Sequence, residues 1–189
     1  MPVKSRRPAR VAALQALYKV EVGKTTASAA MGSIEGFQGL EEELASYARR
    51  LVEGVIQSRS EVDQKLSEKL QDWDIERMAA VDRNILRLGA YELLHCPEIP
   101  PRVTLNEMIE IAKKFSTAES GKFVNGVLAA VLADSPKANW VAPEAETEVE
   151  SAPEPEPEPE IEAINEDAPE AAELAKVGKW KLRSEDASE

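Results

Sequence analysis

One stretch of the chain decides its fold class: residues 81–94, which read VDRNILRLGAYELL. Its apolar side chains fall at nearly every angle around a helical wheel, so the helix is expected to be buried on most sides. Prolines follow at positions 97, 100 and 101. Because proline lacks the amide hydrogen and biases the preceding residue away from helical dihedral angles, these prolines end the helix. A central, enclosed helix is typical of an all-α bundle.

The segments on either side of this helix repeat apolar residues every three or four positions, as one face of a helix requires. Such stripes occur at Val11–Tyr18, Leu44–Leu70, Leu105–Phe115 and Ser120–Leu132. No strand-like alternation competes with them, and a Ser-Pro pair at 135–136 ends the last helix. The sequence therefore predicts an all-α protein, a compact bundle of about six or seven helices.

Two of these helices carry a start signal of the capping-box type. In Thr104-x-x-Glu107 and in Ser116-x-x-Glu119, the hydroxyl is spaced to accept a hydrogen bond from the amide three residues later. The glutamate is spaced to accept one from the amide of the capping residue. We therefore expect helices to begin at Thr104 and at Ser116.

Charge divides the chain into two parts. The total is −12, yet residues 1–138 carry 19 basic and 19 acidic side chains, whereas residues 139–189 carry 4 basic and 16 acidic ones. The second part includes four consecutive Pro-Glu units at 153–160 and few large apolar residues, so it cannot bury enough surface to offset its ordering entropy. We predict a folded domain at 1–138 and a disordered, acidic tail at 139–189. The tail ends in a short basic-aromatic patch, Lys176–Arg183.

Histidine and cysteine each occur once, side by side at His95 and Cys96. This excludes a disulfide framework, a four-thiolate zinc site and a histidine-rich metal site, and it disfavours a Ser-His-Asp hydrolase. The pair ends the buried helix, where a structural role is the simplest interpretation. No run of about 18 apolar residues is present, and no signal peptide follows the basic N-terminus. We expect a cytoplasmic protein that is not an enzyme, needs no cofactor or metal and does not associate with membranes.

The N-terminus is the first candidate for a functional site. Residues 1–24 carry a net charge of +5, and Arg6, Arg7 and Arg10 cluster at the predicted start of the first helix. Cations at that end oppose the helix dipole at a cost of roughly 0.3–1 kcal/mol each, and the guanidinium fork suits phosphate. Nucleic-acid binding is one interpretation of this cluster, and a solvated basic terminus is the other.

Residues 113–126 are the second candidate. They combine lysines for phosphate, the rings of Phe115 and Phe123 for stacked bases and an amide for base edges, which are the parts of a single-strand RNA site. Both rings also lie on apolar stripes, so a place in the core is the alternative. Glu119 either closes its capping box or faces a partner. Gly121-Lys122 lacks the flanking residues of a phosphate-binding loop, so a nucleotide triphosphatase is not supported.

Four segments together resemble the NusB family of bacterial transcription antitermination factors. They are RRPARVAALQALY at 6–18, VDRNILRLGAYEL at 81–93, NEMIEIAKKF at 106–115 and SGKFVNGVL at 120–128, in the family's order. The resemblance implies an all-helical fold of two small sub-bundles packed together and a role without catalysis. The acidic tail lies outside it.

The resemblance also implies partners. The protein is expected to bind boxA-type single-stranded RNA of nascent ribosomal RNA transcripts together with the small-subunit ribosomal protein NusE. The complex travels with elongating RNA polymerase and other Nus factors and suppresses premature termination. Pro8 in the basic motif and Gly121 near the second candidate depart from the common pattern. Matching positions imply RNA contacts at Arg6, Arg7, Arg10, Glu76, Lys122 and Phe123, and partner contacts at Asp82 and Glu119.

In this interpretation the arginines bind phosphate and supply affinity that does not depend on the RNA sequence. Preference for one RNA sequence comes from unstacked bases, which the last helices and the partner protein contact. If about three phosphates are neutralised, log affinity should fall against log salt with a slope of roughly −2. We expect Arg7→Ala and Arg10→Ala to weaken boxA binding without unfolding the protein.

Two other functions remain open at this point. One is a stand-alone NusB-like RNA-binding domain related to ribosomal RNA methyltransferases, and the other is a protein-only scaffold for NusE. For the acidic tail, one hypothesis is competition with RNA for the basic site, and the alternative is a contribution to solubility alone.

Overall fold

The structure is a computed structural model and describes residues 5–70 and 74–141. In these two ranges the chain forms eight α-helices, a short 3-10 helix and no strand, which confirms the all-α prediction. Two short helices, α2 and α3, raise the number above the expected six or seven. The elements are α1 (Arg7–Gly23), α2 (Ala27–Gly32), α3 (Glu35–Gln38), α4 (Glu42–Gln57), α5 (Arg59–Lys69), the 3-10 helix (Ile75–Arg77), α6 (Ala80–His95), α7 (Pro101–Phe115) and α8 (Ala118–Ala133).

Helix α6 is the centre of the bundle, as the apolar pattern predicted. Every residue from Arg83 to Leu93 is buried. The helix contacts α1, α4, α5, α7 and α8. The first four helices thus pack together as one sub-bundle and the last four as another, and α6 joins the two.

Two glycines allow helices to approach closely around α6. A Cβ atom added at Gly89 would lie 2.5 Å from Leu128 Cδ1 and 2.9 Å from Met108 Cγ, where α6 meets α7 and α8. A Cβ atom at Gly54 of α4 would overlap the Tyr91 ring and its hydroxyl oxygen. Since packed interiors leave no room for such overlap, a larger residue at either position would have to move a helix or a ring.

Buried charges tie three of the helices together. Arg87 of α6 donates to both carboxylate oxygens of Asp63 in α5, at 2.7 and 2.9 Å, and to Glu21 of α1 at 3.2 Å. Burial by itself would raise the pKa of Glu21, but a hydrogen bond from Asn84 and the charges of Arg87 and Arg83 outweigh it and lower that pKa. The apolar stripes gave no sign of this network.

The two predicted helix starts are wrong in position. Helix α7 begins at Pro101, whose missing amide costs nothing in a first turn, so Thr104 lies inside the helix. The Thr104 hydroxyl is buried and donates to Glu92 at 2.8 Å. Helix α8 is capped by Thr117, whose side chain accepts from the Ser120 amide at 3.1 Å, while Ser116 follows the end of α7.

Residues after α8 still contact the bundle. Lys137 is buried and donates to the carbonyls of Glu92 and Ile99, at 2.8 and 2.7 Å. The indole of Trp140 donates to the Pro97 carbonyl at 3.3 Å. The predicted tail lies outside the described residues from position 142 onwards. No described helix is both long and apolar enough to cross a bilayer.

Candidate nucleic-acid interface

Helix α1 begins with cations and no compensating acid. Its first turn holds no acidic residue, and the N-cap residue Arg6 makes no side-chain capping bond. The Ser5 hydroxyl accepts from the Arg7 amide at 3.3 Å, and Pro8 occupies an early helical position that suits it. The departure at Pro8 is therefore compatible with a regular helix start, and the arginines remain at an end that the dipole disfavours for them.

Arg6 is the arginine whose charge is available to a ligand. It lies half-buried with Cζ 5.1 Å from the ring centroid of Tyr47 on α4, an arrangement typical of a cation–π contact. Arg10 and Arg50 approach the same ring at 5.7 and 5.9 Å. Within residues 5–70 and 74–141 Arg6 makes no ion pair. Tyr47 was interpreted from its stripe as a core residue, so its place under the arginines was missed.

Arg7 is partly exposed and already holds a carboxylate. Its Nε and Nη2 donate to the two oxygens of Glu107 in α7, each at 2.9 Å. Hydrogen bonding to Glu107 outweighs burial and raises the pKa of Arg7. This bidentate geometry is the one that guanidinium groups also adopt with phosphate. Side-chain exposure of 42% leaves the rest of the guanidinium open to solvent.

Arg10, the third arginine predicted to contact RNA, lies inside the bundle. It is 2% exposed and donates to both oxygens of Glu92, at 2.7 and 3.3 Å. The physical reason lies in the helix: Arg10 shares the inward face of α1 with Leu14 and Leu17, at spacings of four and seven residues. The arginine-rich motif therefore divides into two outer residues and one inner residue.

Glu92 gathers several buried polar groups around the inner arginine. The Tyr47 hydroxyl donates to it at 2.6 Å and Thr104 at 2.8 Å, in addition to Arg10. Burial and the charge of Glu92 raise the pKa of Tyr47, so its hydroxyl remains protonated. Burial also lowers the pKa of Lys137, which donates to the Glu92 carbonyl. This cluster links α1, α4, α6 and α7 beneath the surface that carries Arg6 and Arg7.

The second group of predicted site residues lies at the starts of α6 and α8. Lys122 and Glu119 are exposed on the first turns of α8. Phe123 is half-buried and packs against the core, so part of its ring serves the bundle, as the alternative interpretation proposed. Asp82 accepts from the Ser120 hydroxyl at 3.5 Å, which holds the two helix starts together.

Glu76 joins this second group through the backbone. It is exposed in the 3-10 helix, and its carbonyl accepts from Arg83 at 2.8 Å. Arg83 therefore joins the 3-10 helix to the start of α6, and the preceding residue, Asp82, joins that start to α8. The matched positions of this group therefore lie on the 3-10 helix and on the starts of α6 and α8, whereas Arg6 and Arg7 lie at the start of α1.

Helix α7 connects the two groups. Arg7 bonds to Glu107 near the middle of α7, and Lys113, in its last turn, donates to Glu110 at 2.9 Å. A Cβ atom at Gly121 would lie 3.2 Å from Lys113 Cγ. Gly121 therefore gives the Lys113 side chain room beside α8. Lys113 was in the second candidate segment but was not singled out.

A small apolar area on α1 was also missed. Tyr18 and Val22 are 41% and 53% exposed and lie one turn apart. Between them Glu21 pairs with Arg83 at 2.7 Å, which places this area beside the start of α6 and Asp82. The apolar stripe at Val11–Tyr18 predicts a core position for Tyr18, whereas the side chain is largely exposed.

Known proteins match the helical part of the chain. The model of the NusB family matches residues 7–133. The transcription antitermination protein NusB of Symbiobacterium thermophilum is 43% identical over 136 residues, which cover 68% of this chain and 89% of that protein. The protein of the same name in Myxococcus xanthus is 41% identical over 128 residues, with coverage of 66% and 91%.

Solved structures match in the same region. T. maritima NusB has a TM-score of 0.66 at 36% identity and covers 71% of this chain and 96% of its own. A NusB solved with NusE and double-stranded RNA has a TM-score of 0.63 at 28% identity, with coverage of 68% and 96%. The segment matched by the family runs from the first residue of α1 to the last residue of α8, and the chain therefore belongs to the NusB family.

Proposed function

We propose that this protein is a transcription antitermination factor. It binds boxA-type single-stranded RNA of nascent ribosomal RNA transcripts together with the ribosomal protein NusE, in a cytoplasmic complex with elongating RNA polymerase and other Nus factors. Relatives more than 40% identical are named transcription antitermination proteins, and one solved relative is a NusB with NusE and double-stranded RNA. As a member of this family the protein acts by binding and not by catalysis.

The observation that carries the proposal is the outer arginine pair. Arg6 and Arg7 stand at a helix start that lacks any acidic residue, where the helix dipole disfavours their charges. Glu107 of α7 and the ring of Tyr47 in α4 offset part of that cost from outside the helix. Arg6 has no carboxylate partner among the described residues, and Arg7 keeps open donors. Such placement is explained by an anionic ligand, and a phosphodiester chain is the anion that guanidinium groups bind bidentately.

Lys122 adds an exposed cation at the start of α8 to the two partly buried arginines. With Arg10 assigned to the interior, Arg6, Arg7 and Lys122 are the three residues that neutralise phosphate. The slope of log affinity against log salt therefore stays at roughly −2. The exposed part of Phe123 lies next to Lys122 and is suited to stack on an unpaired base, which supplies the sequence preference that phosphate contacts lack.

NusE is proposed to dock on the apolar area of α1. Tyr18 and Val22 offer exposed apolar surface, and Asp82 offers a carboxylate at the start of α6. Tyrosine at the centre of an interface contributes a large contact area with few rotatable bonds. Glu119 lies on the first turn of α8, whose start is joined to Asp82 through Ser120, and it extends the docking surface towards the RNA site.

Fluorescence anisotropy with labelled boxA RNA and a scrambled RNA tests the proposal. We expect the chain with NusE to bind boxA RNA more tightly than either protein alone and more tightly than scrambled RNA. Tyr18→Asp should remove the gain from NusE and leave the weak binding of the chain alone unchanged. Gln15→Asp, also exposed on α1, is the charge-matched control.

The same titration separates the other candidate functions. If the chain binds NusE but the pair binds RNA no more tightly than either protein alone, the result would favour the protein-only scaffold for NusE. RNA binding that is indifferent to NusE would favour a stand-alone RNA-binding domain. The relatives named NusB are covered over about nine tenths of their length, for example 91% in Myxococcus xanthus, which favours the antitermination factor over a domain of a ribosomal RNA methyltransferase.

A further inference from the structure

Glu107 lies between two arginines of the N-terminal motif. Arg7 donates to both of its oxygens at 2.9 Å, and Arg10 Nη1 lies 3.9 Å from Oε2. The Glu107 side chain is 15% exposed against 42% for Arg7. The carboxylate is therefore the inner member of the pair, and the guanidinium is the outer one.

Contacts continue from Glu107 into the core. Arg10 is fixed by its bonds to Glu92, at 2.7 and 3.3 Å. Glu92 in turn accepts from Tyr47 and Thr104. Arg10 faces Glu107 at 3.9 Å as an ion pair and is itself hydrogen-bonded to Glu92, and every group from Arg10 inwards is buried or half-buried. The hydrogen bonds of such a buried polar network restrict the motion of its side chains.

The bond to Glu107 leaves one edge of Arg7 unused. A guanidinium has five N–H groups in a planar fork, and Glu107 occupies the edge formed by Nε and Nη2. The edge formed by the two Nη atoms remains, and it suffices to bind two phosphate oxygens. A phosphate can therefore bind Arg7 while Glu107 stays in place.

We propose that Glu107 is a positioning residue for RNA binding: anchored through Arg10, it fixes Arg7 so that the unused edge of the guanidinium meets a backbone phosphate. The inference rests on the proposed RNA-binding function. A mobile arginine loses rotamer freedom when it binds, and one that is already fixed loses less, so the same contact yields more affinity. The third arginine of the motif acts from the inside, through Glu107, and not on the RNA.

Substitution of Glu107 tests this against a matched control. Glu107→Ala should weaken boxA binding by roughly two- to tenfold, the gain expected from one pre-organised side chain. Glu110→Ala removes a carboxylate one turn further along α7, whose charge also acts on Arg7 without a hydrogen bond. Because Glu110→Ala removes a negative charge near Arg7 without removing a hydrogen bond to it, the affinity of this variant for boxA RNA should stay the same or rise.

A double-mutant cycle with Arg7 makes the test specific. In an Arg7→Ala background, Glu107→Ala should cause no further loss of affinity, because there is no guanidinium left to position. The order parameter of the Arg7 Nε–H bond, measured by NMR on the free protein, should fall in Glu107→Ala and stay unchanged in Glu110→Ala.

Three outcomes overturn the inference. They are an affinity of Glu107→Ala equal to that of Glu110→Ala, an equal loss with and without Arg7, or an unchanged order parameter. Failure of the unmutated chain with NusE to prefer boxA over scrambled RNA is a different result, because it overturns the proposed function first. A chain that prefers boxA but is indifferent to Glu107 overturns only the positioning role.

Discussion

Arg7 and Arg10 are three residues apart in one helix, yet substitution should affect them differently. Arg10→Ala leaves Glu92 buried without its cation, and loss of one partner of a buried pair costs about 3–5 kcal/mol of unfolding free energy. Arg7→Ala breaks a pair that is 42% exposed on the arginine side, and the cost should be about 1 kcal/mol or less. Urea unfolding followed by circular dichroism measures the loss of unfolding free energy in both variants. The large loss expected for Arg10→Ala differs from the prediction made from the sequence, in which this variant stays folded and only binds RNA more weakly.

A charge-free double variant is the control for that experiment. Replacing the pair as Arg10→Met with Glu92→Gln removes both charges, so it should recover part of the stability lost in Arg10→Ala. An Arg10→Ala protein as stable as Arg7→Ala would contradict the buried pairing. Arg7→Ala should weaken RNA binding while the protein remains folded, so the two residues separate binding from stability.

The inward position of Arg10 could have been predicted, but its partner could not. Spacings of four and seven residues put Arg10 on the face of Leu14 and Leu17, which the apolar stripe already assigned to the core. The partner Glu92 is 82 residues away in the sequence, on a helix whose other residues are mostly apolar. A buried pair between distant helices depends on packing, and helical periodicity carries no information about it.

At the scale of the helices, the apolar periodicity predicted the long helices correctly. The capping-box motifs placed the starts of two of them, α7 and α8, at the wrong residues. Helix α6 and its burial followed from the apolar pattern because 16 residues contain several turns of it. Helices α2 and α3 have six and four residues, too few for a stripe to show. No capping box forms at Thr104, because Pro101 starts the helix three residues earlier. Its two side chains have other partners: Thr104 bonds to Glu92, and Glu107 bonds to Arg7.

The start of α8 gives a prediction at the same scale. Thr117→Ala removes the side chain that accepts from the Ser120 amide, so it should cost about 1 kcal/mol, within a range of roughly 0.5–2. Ser116→Ala removes a hydroxyl that only shares a hydrogen bond with the Ser120 hydroxyl, and its cost should be smaller. Chemical denaturation compares the two. A larger loss of unfolding free energy in Ser116→Ala than in Thr117→Ala would show that Ser116 caps α8, as predicted from the sequence.

For the whole molecule, the net charge conceals how the charge is distributed. Residues 1–138 are neutral and carry the arginine pair, while the imbalance of −12 comes entirely from residues 139–189. The family match ends at residue 133, so the acidic segment is an addition to the helical unit. Its charge, known from the sequence alone, is opposite to that of the surface proposed to bind RNA.

A tethered polyanion competes with RNA for the same cations, so we expect the acidic segment to weaken RNA binding at low salt. A chain ending at Val141 keeps every described helix and should bind boxA RNA more tightly than the full chain at 10 mM salt, where the Debye length is about 30 Å. The difference should shrink near 150 mM, where that length is about 8 Å. Anisotropy titrations of both chains across this range decide the matter. Equal affinities at every salt concentration would assign the segment to solubility, because a competitor of this charge must lose its effect as salt screens it.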